Sequence, residues 1–290
     1  MLDFLQQSLN GFATGCIYGL VALGFVLIYK ASEIVNFAQG DMLMLGAFVG
    51  WTALDVLGFG YWPGLLFTIL ACAAIGFLLD RQVMRPIIGQ PQFAGIMLTI
   101  GLAFTIRGGV IMIWGPEERS FHTPFSNKTT AFGSLAVDDV SLSIVAGTLV
   151  LCAVLFIFFR RSRLGVAMQA ASQNQLAAYL MAIPVKTVNS LVWGLSAGVA
   201  AAAGMLLAPS LLVDTNLWIV VLKGFGAAIL GGFGSIPGAV VGGMIIGVSE
   251  QLVGVYLDPE SKGIAAYVIL LAVLLVWPQG LFGGAERKRV

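Results

Sequence analysis

Charge is scarce in this sequence. Of its 290 residues only 29 carry a formal charge, 15 basic and 14 acidic, while 59% are apolar. A soluble domain has roughly 25% charged side chains and about 45–50% apolar ones. The polar coat of a water-soluble globule therefore cannot be built from this chain, and a mean hydropathy of +0.96 agrees. Other things are missing as well. A net charge of +1 supplies no basic field for nucleic acid. The single histidine, His122, excludes a His-rich metal site or proton relay. The three cysteines, Cys16, Cys72 and Cys152, lie in apolar stretches with no CxxC spacing, so they read as small hydrophobes rather than metal ligands or a disulfide set. No basic run precedes the first apolar stretch, which follows Asp3, so that stretch is expected to be a retained helix and not a cleaved signal. No GxxxxGK[ST] loop is present, so ATP hydrolysis by that route is not expected of this chain, nor is any catalytic, metal-binding or cofactor-binding residue. No polar linker divides it, and residues 1–290 are expected to form a single transmembrane domain.

What is present is apolar length. Nine segments stand out, at about 9–29, 37–54, 62–80, 93–114, 140–159, 187–208, 217–234, 237–256 and 264–281. At ~20 residues per crossing, they predict an all-α integral membrane protein, a polytopic bundle of about eight or nine transmembrane helices. Prolines 63, 184 and 237 open segments and prolines 116, 209 and 278 close them, as a residue without an amide donor suits. Sorting the charges by loop parity orients the bundle. With the N-terminus outside and the C-terminus inside, ten basic residues face the cytoplasm: Lys30, Arg81, Arg85, Arg160, Arg161, Arg163, Lys186, Arg287, Lys288 and Arg289. Only Arg119, Lys128 and Lys262 lie outside. The longest outer loop is then about 115–139 and the longest inner loop about 160–186. Segment 217–234 carries Lys223 and five glycines; charge parity favours a crossing broken near its inner end over a re-entrant half-helix.

Two interruptions look alike: 35–50 (VNFAQGDMLMLGAFVG) and 224–247 (GFGAAILGGFGSIPGAVVGGMIIG). Broken helices at membrane depth are tolerated where protein or a water-lined cavity satisfies the freed backbone, and in paired positions they point to a transport pathway. Ordinary tight cytoplasmic turns are the alternative. Glycines four apart at 11, 15 and 19, at 194 and 198, and at 234, 238 and 242 read as sites of close helix approach, and the run AGVAAAAG at 197–204 as a helix deep in the bundle. Four ionisable groups fall within or at the edge of apolar segments: Asp41, Arg107, Lys223 and Glu250. Arg107 and Glu250 sit deepest, and they are expected either to pair with each other or to line a polar path. Ser196 lies in a GxSxG pattern, but within an apolar helix rather than the strand–turn–helix that a nucleophile needs. Asn127-Lys128-Thr129 is a formal glycosylation sequon in the outer loop. In the inner loop, Ser172 or Asn174 is placed to cap a short helix over 175–183 that Pro184 ends. Its small, uncharged apolar face suits docking in a groove of another protein better than lying on lipid.

These residues together resemble one family from end to end. GLVALGFVLIY (19–29), VNFAQGD followed by MLMLGAF (35–48), RLG (163–165) with the loop to Ile183, AILGGFGSIPG (228–238) and WPQGLF (277–282) resemble the LivH-type permease subunits of branched-chain amino-acid ABC importers. That resemblance implies a bacterial inner (plasma) membrane protein that forms a pathway with a second homologous permease. It also implies two cytoplasmic ATPase subunits that use ATP, and a periplasmic solute-binding protein. It makes the inner loop the ATPase coupling helix, with Gly165, Asn174, Gln175, Ala177, Ala178, Ile183 and Pro184 as contacts; where the family signature has an acidic residue this chain has Gln173 or Gln175. Asn36, Gln39, Asp41, Thr99, Gly234 and Ser235 are the candidates for lining the pathway. Related permeases serve urea and short amides, which is the alternative for the solute; a stand-alone channel or secondary transporter is the rival class.

Overall fold

The computed structural model describes residues 2–87, 90–121, 123–126, 128–132 and 135–283. His122, Asn127 and the charges at 286–289 lie outside the described residues. Each apolar segment folds as a helix, which satisfies the backbone within the segment where no water is available. They are α1 (Leu2–Ser32), α2 (Gln39–Trp51), α3 (Tyr61–Leu79), α4 (Gln92–Trp114), α5 (Asp139–Arg161), α8 (Val185–Leu207), α9 (Val220–Gly231), α10 (Ile236–Tyr256) and α11 (Lys262–Val276). Between α5 and α8 lie α6 (Arg163–Gln173) and α7 (Gln175–Leu180). Six stretches among the described residues are long and apolar enough to cross a bilayer: Asp3–Ser32, Tyr61–Ile87, Gln92–Trp114, Asp139–Arg161, Val185–Ser210 and Ile236–Tyr256. Helices α2, α9 and α11 have 13, 12 and 15 residues. At about 1.5 Å per residue they are shorter than a hydrocarbon core of about 30 Å.

The all-α expectation needs one correction. Thr129–Phe132 (β1) and Leu135–Asp138 (β2) pair as an antiparallel hairpin, with Thr129 opposite Asp138 and Thr130 opposite Val137. The long connection after α4 carries β-branched Thr129, Thr130 and Val137, which favour extended backbone.

The chain divides into two compact units. The first comprises residues 1–26, 125–145 and 220–290. Here the glycines of α1 bring backbone onto backbone. A Cβ on Gly15 would meet Met244 and Gly243, and one on Gly243 would meet Gly19. Helices α9 and α10 are joined by a turn through Gly232, whose φ of 93° is open to glycine and costly for other residues. The closing WPQGLF block has a specific task in this turn. Leu281 N–H donates to Leu230 O (2.8 Å) and Phe282 N–H to Gly231 O (3.2 Å), supplying donors to carbonyls that the end of α9 leaves without helical partners.

The second unit comprises residues 27–124 and 146–219. Its centre is α8, buried along nearly its whole length, including all of 197–204. Small residues let two helices press on it. Gly76 of α3 lies against Trp193 and Ala197, while Gly46 of α2 lies against Ala201 and Gly204 against Leu43 O. Dispersion and close backbone approach substitute for the hydrophobic effect that lipid does not supply.

Candidate functional site

The first break, 35–41, is a closed polar knot in the second unit. Asn36 Oδ1 accepts from Ala38 N–H (3.1 Å), and Asn36 Nδ2 donates to Gln39 Oε1 (3.4 Å). Gln39 Oε1 also accepts from Ser196 Oγ (3.0 Å), and Gln39 Nε2 donates to Ser196 O (3.4 Å). Thr99 Oγ1 accepts from Phe37 N–H (3.3 Å) and donates to Ile96 O (2.8 Å). Asn36, Gln39 and Thr99 are fully buried. The freed backbone of the break is thus met by the side chains of Asn36 and of Thr99 on α4, while Gln39 ties the break to Ser196 on α8. Phe37 alone within 36–41 is exposed. Ser196, whose GxSxG pattern was read as lacking the setting of a nucleophile, is an interior helix residue donating to Gln39.

The second break belongs to the first unit. Ser235 caps α10, its Oγ accepting from Gly238 N–H (3.1 Å), while Gly234 is exposed with open space around its Cα.

Of the two roles expected for Arg107 and Glu250, the mutual pair is not formed. Arg107 on α4 grips Asp41 on α2, Nε to Oδ1 at 3.0 Å and Nη2 to Oδ2 at 3.3 Å. Its guanidinium lies 4.0 Å from the Trp218 ring centre and 5.5 Å from that of Phe104. Glu250 on α10 instead accepts from Lys223 Nζ on α9 (2.5 Å) and from Tyr18 OH on α1 (2.9 Å). Asp41 and Glu250 are buried, and each meets a cation of its own unit. A third cluster was not foreseen. Asp80 Oδ2 accepts from Ser190 Oγ (2.6 Å), and Ser190 Oγ accepts from Arg85 Nη2 (2.8 Å), which also reaches Lys186 O (3.2 Å). Sequence places Arg85 among the inner loop charges; the helix runs on through Asp80 and Arg85 as a π turn at Asp80–Met84 and a 3₁₀ turn at Arg85–Ile87.

The segment between α5 and α8 holds two helices where sequence indicates one. Ser162 Oγ accepts from Gly165 N–H (2.8 Å) and starts α6; Gly165 is buried, and a Cβ there would strike the Phe158 carbonyl. Of the two expected caps, Asn174 is the one used, Oδ1 accepting from Ala177 N–H (2.9 Å); Ser172 sits inside α6. Helix α7 ends at Leu180, earlier than expected, because Ala182 turns left-handed (φ 60°) and Ile183 N–H closes on Ala178 O. Ala178 is buried, Ala177 and Pro184 are exposed and Ile183 is half-buried. Leu176, Tyr179, Leu180 and Met181 are 70–78% exposed, an apolar surface far larger than a solvated turn requires.

Long apolar helices whose deep charges are neutralised within the fold define a multi-pass helical membrane protein. Residues 7–276 match the family described as "Branched-chain amino acid transport system / permease component", and the chain belongs to that family. It is 32% identical over 306 residues to the high-affinity branched-chain amino acid transport system permease protein LivH of Salmonella typhimurium, covering 100% of this chain and 98% of that protein. It is 29% identical to the corresponding permease BraD of Pseudomonas aeruginosa, over 99% and 98% of the two chains. Among solved structures, PsaBC from Streptococcus pneumoniae in complex with Fab matches with a TM-score of 0.50 at 15% identity, over 95% of this chain and 92% of that one, a likeness of fold alone.

Proposed function

We propose that this chain is the permease subunit of an ATP-driven importer for branched-chain amino acids in the bacterial inner membrane. The observation that carries this reading is the end-to-end similarity to LivH, whose name specifies branched-chain amino acid transport. In this reading the bundle crosses the membrane nine times, the odd number that an N-terminus out and a C-terminus in require, as the ten-to-three excess of inner basic residues favours. A second homologous permease completes the pathway, two cytoplasmic ATPases bind and hydrolyse ATP, and a periplasmic binding protein delivers the solute. This chain itself holds no cofactor.

The α6–α7 segment is the coupling element. Asn174 holds α7 in register, and Leu176, Tyr179, Leu180 and Met181 offer the apolar face that an ATPase groove covers. The buried Gly165 and Ala178, with Ala177, Gln175, Ile183 and Pro184, set the backbone that presents this face. For the pathway, Asn36, Gln39 and Thr99 act as the frame of the first break, with Asp41 holding Arg107, while Gly234 and Ser235 shape the second break. The solute then meets surfaces that these frames hold and is bound weakly, as suits a path loaded by a high-affinity receptor.

Uptake of radiolabelled leucine by cells lacking their own branched-chain uptake, given this chain and its companion subunits, tests the reading. Transport that depends on ATP is expected. The Gln175→Lys/Ala178→Arg double variant is expected to abolish uptake and co-purification of the ATPase; retention of both sinks the coupling assignment.

A further inference from the structure

The deep ion pairs differ in one respect. Glu250 and Lys223 close on each other with Tyr18, and the carboxylate has both oxygens occupied. Asp41 is likewise closed, 1% exposed, with both oxygens on Arg107. Arg107 is not closed. A guanidinium has five donors in a planar fork, and Asp41 takes only the Nε–Nη2 edge. Among the described residues the other edge, Nη1 with the second Nη2 proton, carries no hydrogen bond, and the Arg107 side chain keeps 22% of its surface exposed.

A free guanidinium edge turned to hydrocarbon is costly, so this edge faces protein or water. Its plane is also fixed, by the bidentate Asp41 on one edge and the Trp218 ring 4.0 Å away. Phe104, three residues earlier on α4 and therefore on the same helix face, is 64% exposed. An oriented, half-open guanidinium edge beside an exposed aromatic ring matches a ligand with a carboxylate at one end and an apolar group at the other.

We infer that the free edge of Arg107 binds the carboxylate of the passing amino acid, with Phe104 and Trp218 receiving its aliphatic side chain. The inference rests on the importer reading above and adds the solute contact that the reading leaves unassigned. Asp41 is then a positioning residue: it holds Arg107 in plane and balances its charge, so that a zwitterion crosses a locally neutral site. Lysine cannot replace the arginine, because an ammonium paired with Asp41 has no second planar edge to offer.

The test uses the assembled transporter, with its companion subunits, in lipid nanodiscs. An arginine-selective dicarbonyl reagent is applied, and modification of Arg107 is followed by peptide mass spectrometry. Leucine is expected to slow modification at Arg107, and leucinamide, which lacks the carboxylate, to leave it unchanged. Equal modification with and without leucine overturns the inference. A second arm separates recognition from a merely structural ion pair. The Asp41→Asn/Arg107→Gln variant leaves no buried charge stranded, so a structural role predicts near-normal uptake. Recognition predicts that maximal leucine uptake falls about tenfold or more, the scale of one lost charge-assisted contact. Should that variant fail to assemble, Arg107→Lys keeps the charge pair and is expected to assemble yet show the same fall; normal uptake by either variant overturns the proposal. If the unaltered transporter takes up no branched-chain amino acid at all, the importer reading has failed instead.

Discussion

Glu250 illustrates what one buried charge demands. Its carboxylate is held by an ammonium from α9 and a phenol from α1, so removing the ammonium leaves a buried carboxylate without a counter-ion. Lys223→Met is expected to destabilise the detergent-solubilised protein by about 3–5 kcal/mol, read from its thermal unfolding, because a stranded buried ion costs that much. Lys223→Met/Glu250→Gln is expected to recover most of the loss. Ser196→Ala removes one neutral hydrogen bond to Gln39, so about 1 kcal/mol is expected to be lost while uptake is retained. Loss of uptake with stability intact would give Ser196 a chemical role that its burial does not suggest. Sequence singled out the four deep charges but did not reveal which of them meet. Their partners lie 27 and 66 positions away. Which of them meet depends on how each helix is turned about its axis. Helices that are apolar all round leave that rotation unmarked in the sequence.

Among elements, the contacts legible in advance were those made by glycine, except at Gly234, where the expected close approach is open space. Spacing four apart on α1 indicated close approach, and the backbone of α10 is what approaches. Gly243→Leu is expected to force α1 from α10 and abolish a monodisperse peak in size-exclusion chromatography; Gly263→Ala, with open space at its Cα, is expected to change nothing. The α6–α7 segment was half legible. Asn174 announced its cap, but the end of α7 did not, since it depends on left-handed backbone at Ala182, a residue with no turn preference. Asn174→Ala is expected to weaken α7 by about 0.5–2 kcal/mol. In the assembled importer that appears as ATP hydrolysed per solute moved rising above the unaltered value. An unchanged ratio would show that the cap plays no part in coupling. The β1–β2 hairpin had a signal in the sequence, Gly133-Ser134 between the two strands, which a reading by apolar length passes over.

For the whole molecule, the class of protein could be read from composition alone, since 29 charges cannot coat 290 residues. The number of complete crossings could not, because α2, α9 and α11 carry the hydropathy of spans without their length. Orientation is open to direct measurement. In a chain with Cys16, Cys72 and Cys152 replaced, an impermeant maleimide applied to intact cells is expected to label Ser126→Cys and spare Ser172→Cys; the reverse pattern would invert the bundle. The stretch after α11 also sets an order of assembly. Leu281 and Phe282 supply the amides that finish α9, a helix translated about fifty residues earlier. Folding during synthesis proceeds from the N-terminus, so α9 waits for its last two donors until Phe282 has been translated. The first unit is therefore expected to be finished late, by a step that waits on residues translated after α10 and α11. A stop codon before Trp277 would leave a nascent protein that inserts but stays a substrate for membrane quality-control proteases, whereas a fusion placed beyond Gly283 leaves that step intact.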